Sequence, residues 1–156
     1  MSDKRRHPFL GITHALWREF KRWRMRSLLR KDCEISLKEA ACLWSLSDLI
    51  YLGPTGPNAR RLPEWNLYEA YCASPTPPDE ELLTMAKHAS PAVAGYAFEV
   101  LLARNSRLIP EALELLLPRT ESVSGSRGSF VSYLELGGYA LHRYEIWVEK
   151  DQAAAP

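Results

Sequence analysis

Apolar residues recur every three or four positions near the start of the chain. The members of this stripe are Phe9, Ile12, Leu16, Phe20 and Trp23. At 100° per residue they share one side of a helix of about five turns. We expect the stripe to be core, as in most docked terminal helices, so that removal of residues 1–31 unfolds the protein. Two alternatives stay open, a membrane-surface helix and a nucleic-acid-binding helix, because basic amphipathic helices containing Trp can do both.

A second helix is predicted to begin at a capping box, in which Ser36 precedes Glu39 by three residues. Its apolar positions continue as far as Ile50, and Gly53-Pro54 then ends it. Residues 53–63 are rich in Gly and Pro and predict a long loop. This loop lacks the Gly-Lys-Ser/Thr ending of a phosphate-binding loop, and its prolines lack backbone donors, so we interpret it as an ordinary connection.

Five further helices are predicted, each bounded by Pro, Gly or Ser residues. They cover residues 63–73, 79–89, 91–105, 111–117 and 132–148. Ser90-Pro91 predicts the start of one of them, because Ser caps well and Pro is favoured at the first helical position. Between the last two, Thr120–Val131 reads as two short extended arms around a glycine turn. The sequence therefore predicts an all-α fold, an array of six to seven helices with one small β-ribbon inserted.

The length of 156 residues fits one domain, for which we take residues 1–150, with 151–156 as a flexible tail. No apolar run approaches the ~20 residues that a membrane-spanning helix needs, so no span is predicted. The three cysteines are an odd number, and the start of the chain lacks the apolar core of a secretory signal. These features predict reduced thiols and a cytoplasmic protein.

The net charge of +1 hides a strong asymmetry along the chain. Residues 1–31 contain ten Lys or Arg against two acidic residues, a surplus of eight positive charges. The other 125 residues therefore carry a net charge of −7. Such asymmetry indicates either an anionic partner or attraction between two parts of one fold. We favour attraction within the fold.

An internal repeat connects the middle of the chain with its end. Gly95-Tyr96-Ala97 recurs as Gly138-Tyr139-Ala140 at an offset of 43 residues, and helix pairs repeating at about 40 to 47 residues are typical of α-solenoids. Together with Ser90-Pro91-Ala92-Val93-Ala94, these residues resemble the HEAT-like repeat proteins of bacteria over about residues 78–148. The resemblance implies stacked helix pairs that present a surface to another macromolecule, without chemistry of their own.

Residues suited to catalysis or metal binding are sparse. The histidines His7, His14, His88 and His142 show none of the paired spacings that bind zinc. His142 and Glu145 share a helix face, but the second half of a carboxylate metal site is missing. Cys33 has basic neighbours, yet no positioned base is evident, and no serine lies in a nucleophile elbow. We therefore predict no enzymatic activity, no metal and no cofactor.

Two functions fit these observations. The first is a non-catalytic protein–protein interaction protein, an inhibitor or immunity-type antagonist or an adaptor by analogy of class. Because Tyr and Arg dominate interface hot spots, its predicted contacts are Arg127, Phe130, Tyr133, Tyr139 and Arg143. For Tyr133 and Tyr139, a place in the core is an equal alternative. The second function is nucleic-acid binding through Arg18, Lys21, Arg22, Arg26, Arg60 and Arg61. The negative charge of the body opposes it, because it would repel the same nucleic acid.

Overall fold

The computed structural model describes residues 9–29, 35–46, 49–54, 61–127 and 130–154. In chain order its elements are α1 (Phe9–Leu29), α2 (Leu37–Trp44), β1 (Leu49–Tyr51), α3 (Pro63–Ala73), α4 (Asp79–Ala86), α5 (Pro91–Ala103), α6 (Ile109–Leu116), β2 (Ser122–Arg127), β3 (Phe130–Glu135) and α7 (Leu136–Ala154). The described chain is mostly helical with one small sheet, which confirms the mainly-α class. Among the described helices, none has the length and apolarity needed to cross a membrane.

The helix starts follow the capping signals in the sequence. The Ser36 hydroxyl accepts the backbone N–H of Glu39, and the Glu39 carboxylate accepts the backbone N–H of Ser36, which confirms the capping box. Helix α3 begins at a proline, as predicted, and ends at Ala73. Ser90 is the N-cap residue of α5 and Pro91 its first helical residue.

Helix α2 is shorter than the apolar pattern predicts. It ends at Trp44, where Ser45 caps it by donating its hydroxyl to the Cys42 carbonyl. The predicted helical extension to Ile50 is wrong, because Leu49–Tyr51 is strand β1 and pairs in parallel with β2. Ile50 is fully buried there, so tertiary pairing satisfies an apolar segment that is ambiguous between helix and strand.

The predicted β-ribbon is present and is longer than expected. Strands β2 and β3 pair antiparallel from Ser122↔Glu135 to Arg127↔Phe130, and β2 lies between β1 and β3 in a three-stranded sheet. The prediction of a helix beginning at Ser132 is wrong, because residues 132–135 complete the β3 ladder. Helix α7 begins at Leu136 and includes residues 151–154 of the predicted flexible tail.

Helix α5 is the centre of the core. It packs against α4, α6, α7, α3 and the sheet, and every residue from Ala92 to Leu102 is buried. The Trp44 ring stacks on the Tyr96 ring at 4.8 Å between centroids and meets the Tyr71 ring edge-on at 5.6 Å. Helix α5 also contacts α2, and other helix contacts among the described residues are α4 with α6, α6 with α7, and α2 with α3.

Helix α1 docks on α2 and α3 by the opposite side from the one that its pattern predicts. Leu16, Phe20 and Trp23, expected in the core, are 66%, 58% and 64% exposed. The expectation that they are core residues is therefore wrong. The prediction for Phe9 and Ile12 concerns side chains outside the described part.

Candidate interaction surfaces

A buried ionic cluster joins α5 to α7. The Glu99 carboxylate is buried and accepts hydrogen bonds from Arg143 Nε at 2.5 Å, from Arg143 Nη2 at 2.9 Å and from the Tyr139 hydroxyl at 2.6 Å. Burial raises the pKa of Tyr139 well above its ordinary value, and the Glu99 charge raises it further. Burial lowers the pKa of Arg143, but its bonds to Glu99 reverse this and leave it raised. The cluster is thus a protonated phenol and a guanidinium around one carboxylate.

This cluster redefines two of the predicted contact residues. Tyr139 is 3% exposed, so its prediction as a surface contact is wrong and the core alternative is confirmed for it. Arg143 is half-buried, with its guanidinium held by Glu99. Glu99 is not among the residues predicted from the sequence, although one acidic residue within the apolar segment 92–102 signals a buried ionic partner.

A cleft of about 380 Å³ opens beside the cluster, between α5 and the second half of α7. Arg143, Trp147 and Lys150 line one wall and Tyr68 another, while Trp147 Nε1 donates to Asn105 Oδ1 at 2.9 Å.

Close to Tyr68, burial raises the pKa of the Cys72 thiol to about 11. Cys72 is therefore a neutral thiol at pH 7 and is not an activated nucleophile.

Strand β3 forms one edge of the sheet. The Leu136 N–H donates to the Glu121 carbonyl, so these two residues form a hydrogen-bonded pair next to the ladder. Hydrogen-bonded and non-hydrogen-bonded pairs alternate along an antiparallel ladder. Val131, Tyr133 and Glu135 therefore belong to non-hydrogen-bonded pairs, and their backbone N–H and C=O groups face away from β2. The Tyr133 side chain is 79% exposed and Leu134 beside it is also exposed. Arg127 and Phe130 pair at the far end of the ladder, with side chains outside the described part.

The outer side of α1 carries four large apolar residues, Leu16, Trp17, Phe20 and Trp23, which we call the aromatic face. Trp17 is 48% exposed and the other three are more exposed. The Phe20 and Trp23 rings lie 6.0 Å apart, and Lys21 Nζ lies 3.7 Å from the centre of the Trp17 ring. Isolated apolar residues on a surface are ordinary, whereas a contiguous group of this kind marks an interaction site.

Polar contacts hold the inner side of α1 on the body. Arg22 Nε donates to Glu64 Oε1 at 2.9 Å, and Lys21 Nζ donates to the Cys42 sulfur at 2.6 Å. The Glu64 side chain is fully buried, and its Oε2 has no hydrogen-bond partner among the described residues. Burial lowers the pKa of Arg22, but the charges and hydrogen bonds of Glu64 and Glu19 together more than offset this and leave it raised. A buried acidic residue of the body thus binds a basic residue of α1. This contact supports the interpretation that the basic first segment and the acidic body attract each other within one fold.

The basic residues predicted to bind nucleic acid are dispersed. Lys21 and Arg22 face the body, and Arg61 pairs with Glu69 at 3.1 Å while it covers the Trp65 ring. Arg18 is exposed and Arg26 is half-buried, and Arg60 is outside the described residues. The nucleic-acid hypothesis stays a prediction that these placements do not favour.

The chemistry expected to be absent remains open to experiment. Within the described ranges, no three His, Cys, Asp or Glu side chains gather as a metal site requires. His142 and Glu145 lie on the outside of α7, both exposed, and Cys33 falls outside the described ranges.

Comparison of the chain with protein-family models, with curated proteins and with solved structures found no match. The resemblance to HEAT-like proteins therefore stays a prediction, as do the cytoplasmic location and the absence of enzymatic activity.

Proposed function

We propose that this protein is a non-catalytic protein-binding domain that recognises its partner through strand β3. The observation that carries the proposal is the position of β3 at the edge of the sheet, with no further strand beside it among the described residues and with Tyr133 exposed on it. An edge strand offers unpaired backbone N–H and C=O groups to an extended segment of another chain, and Tyr supplies contact area at low entropic cost.

The rigidity of the surroundings supports a binding role for this edge. Strand β2 anchors the hairpin, since Val123 is buried against the helices and β1 pairs with its other side. Helix α7 follows β3 directly and is tied to α5 by the Glu99 cluster. A preorganised strand loses little conformational freedom when it binds, and this favours affinity.

The helix contacts also support the HEAT-like arrangement as part of the proposal. In such an arrangement α4–α5 and α6–α7 are successive pairs, α4 lies beside α6, and α5 lies beside α7. The contacts observed between these helices agree with that order. The proposal includes two kinds of partner. An enzyme as partner would make this protein an inhibitor or immunity-type antagonist, whereas a component of an assembly would make it an adaptor. Identification of the partner distinguishes the two.

Site-specific photo-crosslinking tests this function. A photoreactive phenylalanine at Tyr133 is expected to give one discrete adduct with a protein from the native cell. The same group at Glu114, an exposed position on α6, serves as the matched control and should give none. A stoichiometric partner that co-purifies while position 133 yields no adduct would refute binding through β3.

Proline substitution separates the backbone from the side chain. Val131→Pro removes an N–H that faces outward, so the β2–β3 ladder remains and strand addition is blocked. Tyr133→Ser removes the side chain alone. We expect both to weaken capture of the crosslinked partner, with Val131→Pro the more severe. A partner retained by Arg127→Glu combined with Phe130→Ala would place the contact away from the hairpin tip.

A further inference from the structure

We propose that the aromatic face of α1 docks on an anionic phospholipid surface. This site is separate from the β3 edge and does not depend on the function proposed for it. The helix lies along the surface of the body with Leu16, Trp17, Phe20 and Trp23 directed outward.

The orientation of α1 is set by its inner side. Arg22 is bound to the buried Glu64 carboxylate, and Lys21 contacts the Cys42 thiol on α2. Turning the aromatic face inward would remove the only cation that the structure places on Glu64 within the described residues, which would leave a carboxylate buried without a counterion. The apolar side is thus presented outward while α1 stays attached.

The chemistry of the outer side fits a lipid interface. Trp and Phe side chains favour the boundary between headgroups and acyl chains, where an amphipathic helix lies in the plane of the membrane. Exposed Arg24 lies one helical turn from Phe20 on the same side of α1, and such a side chain can reach lipid phosphates while its stem stays apolar. The surplus of eight positive charges in residues 1–31 supplies long-range attraction to anionic headgroups.

Charge also selects among the possible occupants. A second copy would bring two equally basic segments together, which like-charge repulsion opposes. A nucleic acid needs several cations directed toward its phosphates, whereas Lys21 and Arg22 point to the body and the outward side consists mainly of apolar residues. An anionic bilayer satisfies both the apolar face and the positive charge of this part of the chain.

Vesicle flotation tests the proposal with the full chain. We expect binding to phosphatidylcholine vesicles that contain about 30% phosphatidylserine, and binding at least about tenfold weaker to pure phosphatidylcholine. Phe20→Glu should weaken binding to the anionic vesicles by about tenfold or more, because it places a carboxylate in the apolar layer. The matched control is Leu141→Glu on α7, another exposed large apolar residue, which should bind within about twofold of the parent.

Other results of these binding experiments would overturn the proposal. Equal binding of the parent and Phe20→Glu, or no flotation of the parent with anionic vesicles, overturns the proposal. Phe20 is 58% exposed, so unchanged circular dichroism and melting should accompany the loss of binding. Where Phe20→Glu does alter the melt, Trp23→Ser replaces it under the same criteria. A dimer in sedimentation velocity that Phe20→Glu dissociates would assign the face to a second copy and also overturn the proposal.

Discussion

Helices α1 and α5 both carry large aromatic side chains, yet the structure uses them in opposite ways. Phe98 on α5 is fully buried, whereas Phe20 on α1 is mostly exposed. Helix α5 has neighbours all around it, while α1 lies on α2 and α3 at the periphery. The comparison teaches that an amphipathic pattern identifies residues that share a side of a helix, and that the partner available to each side decides which one is buried.

The matched phenylalanines give the largest expected contrast. Phe98→Ala should lower the free energy of unfolding by about 3 to 5 kcal/mol, because it removes a fully buried ring and leaves a cavity. Phe20→Ala should change it by less than about 0.5 kcal/mol, as is usual for an exposed position. Urea denaturation followed by circular dichroism measures both.

The opposite ranking would break the comparison. If Phe20→Ala lowered the free energy of unfolding as much as Phe98→Ala, α1 would pack on the body by its aromatic face. The stripe would then be core, as the sequence predicts. Removal of residues 1–31 would then unfold the chain, as first predicted. With the aromatic face exposed, we expect the shortened chain to keep a cooperative melt at a lower Tm.

The fold class followed from the sequence because most helix boundaries are local signals. The Ser36–Glu39 capping box, Pro63 and Pro91 act within one turn of the chain and needed no tertiary information. Strand β1 was missed, since its pairing with residues 124–126 depends on chain more than seventy positions away. The inward side of α1 was missed for a similar reason, because Glu64 attracts Arg22 from another helix.

The two buried carboxylates provide the next test of the comparison. Arg143→Ala leaves Glu99 enclosed between α5 and α7 and should cost about 3 kcal/mol or more. Arg22→Ala also leaves Glu64 buried without its cation, but the peripheral α1 can loosen and admit water, so we expect a smaller cost of about 2 kcal/mol. Denaturant titration of the two variants at neutral pH and equal salt compares these costs.

Hydrogen exchange supplies the control for this interpretation. Arg22→Ala should speed exchange of the α1 amides and leave those of α5 protected. Equal destabilisation by both variants, with α1 protection unchanged, would show that α1 is as firmly embedded as α5.

The candidate site was less predictable than the fold. Tyr133 and Tyr139 look equivalent in the sequence, yet one is on the edge strand and the other donates to Glu99. No local signal separates them, because Tyr139 is buried by α5, whose contact with α7 is set by the whole helix array. In both copies of the Gly-Tyr-Ala repeat the Tyr and the Ala are buried, whereas Gly95 and Gly138 lie in different surroundings.

Neighbouring glycines at the start of α7 sharpen this point. A Cβ at Gly137 would overlap the backbone carbonyl of Leu117, whereas a Cβ at Gly138 would enter open space. Gly137→Ala should therefore destabilise by about 2 kcal/mol, since backbone must move. Gly138→Ala should be neutral or stabilise by up to about 1 kcal/mol, because Ala favours a helix. Thermal melts that show equal effects would contradict the tight contact between α6 and α7.

The smallest expected effect concerns Glu121, at the surface where the chain leaves α6 for the sheet. A hydrogen bond from Arg119 lowers the pKa of this carboxylate, so the folded state binds the proton less tightly than the unfolded state. Its contribution is therefore present above the unfolded pKa of about 4.3 and is lost as the pH falls through that value and below. The Tm difference between the parent and Glu121→Gln should be small at pH 7, because the group is exposed and screened, and should vanish in acid. Glu135→Gln, an exposed carboxylate on β3, is the control. A difference that grows as the pH falls would mean that the ion pair with Arg119 is not what stabilises this corner of the fold.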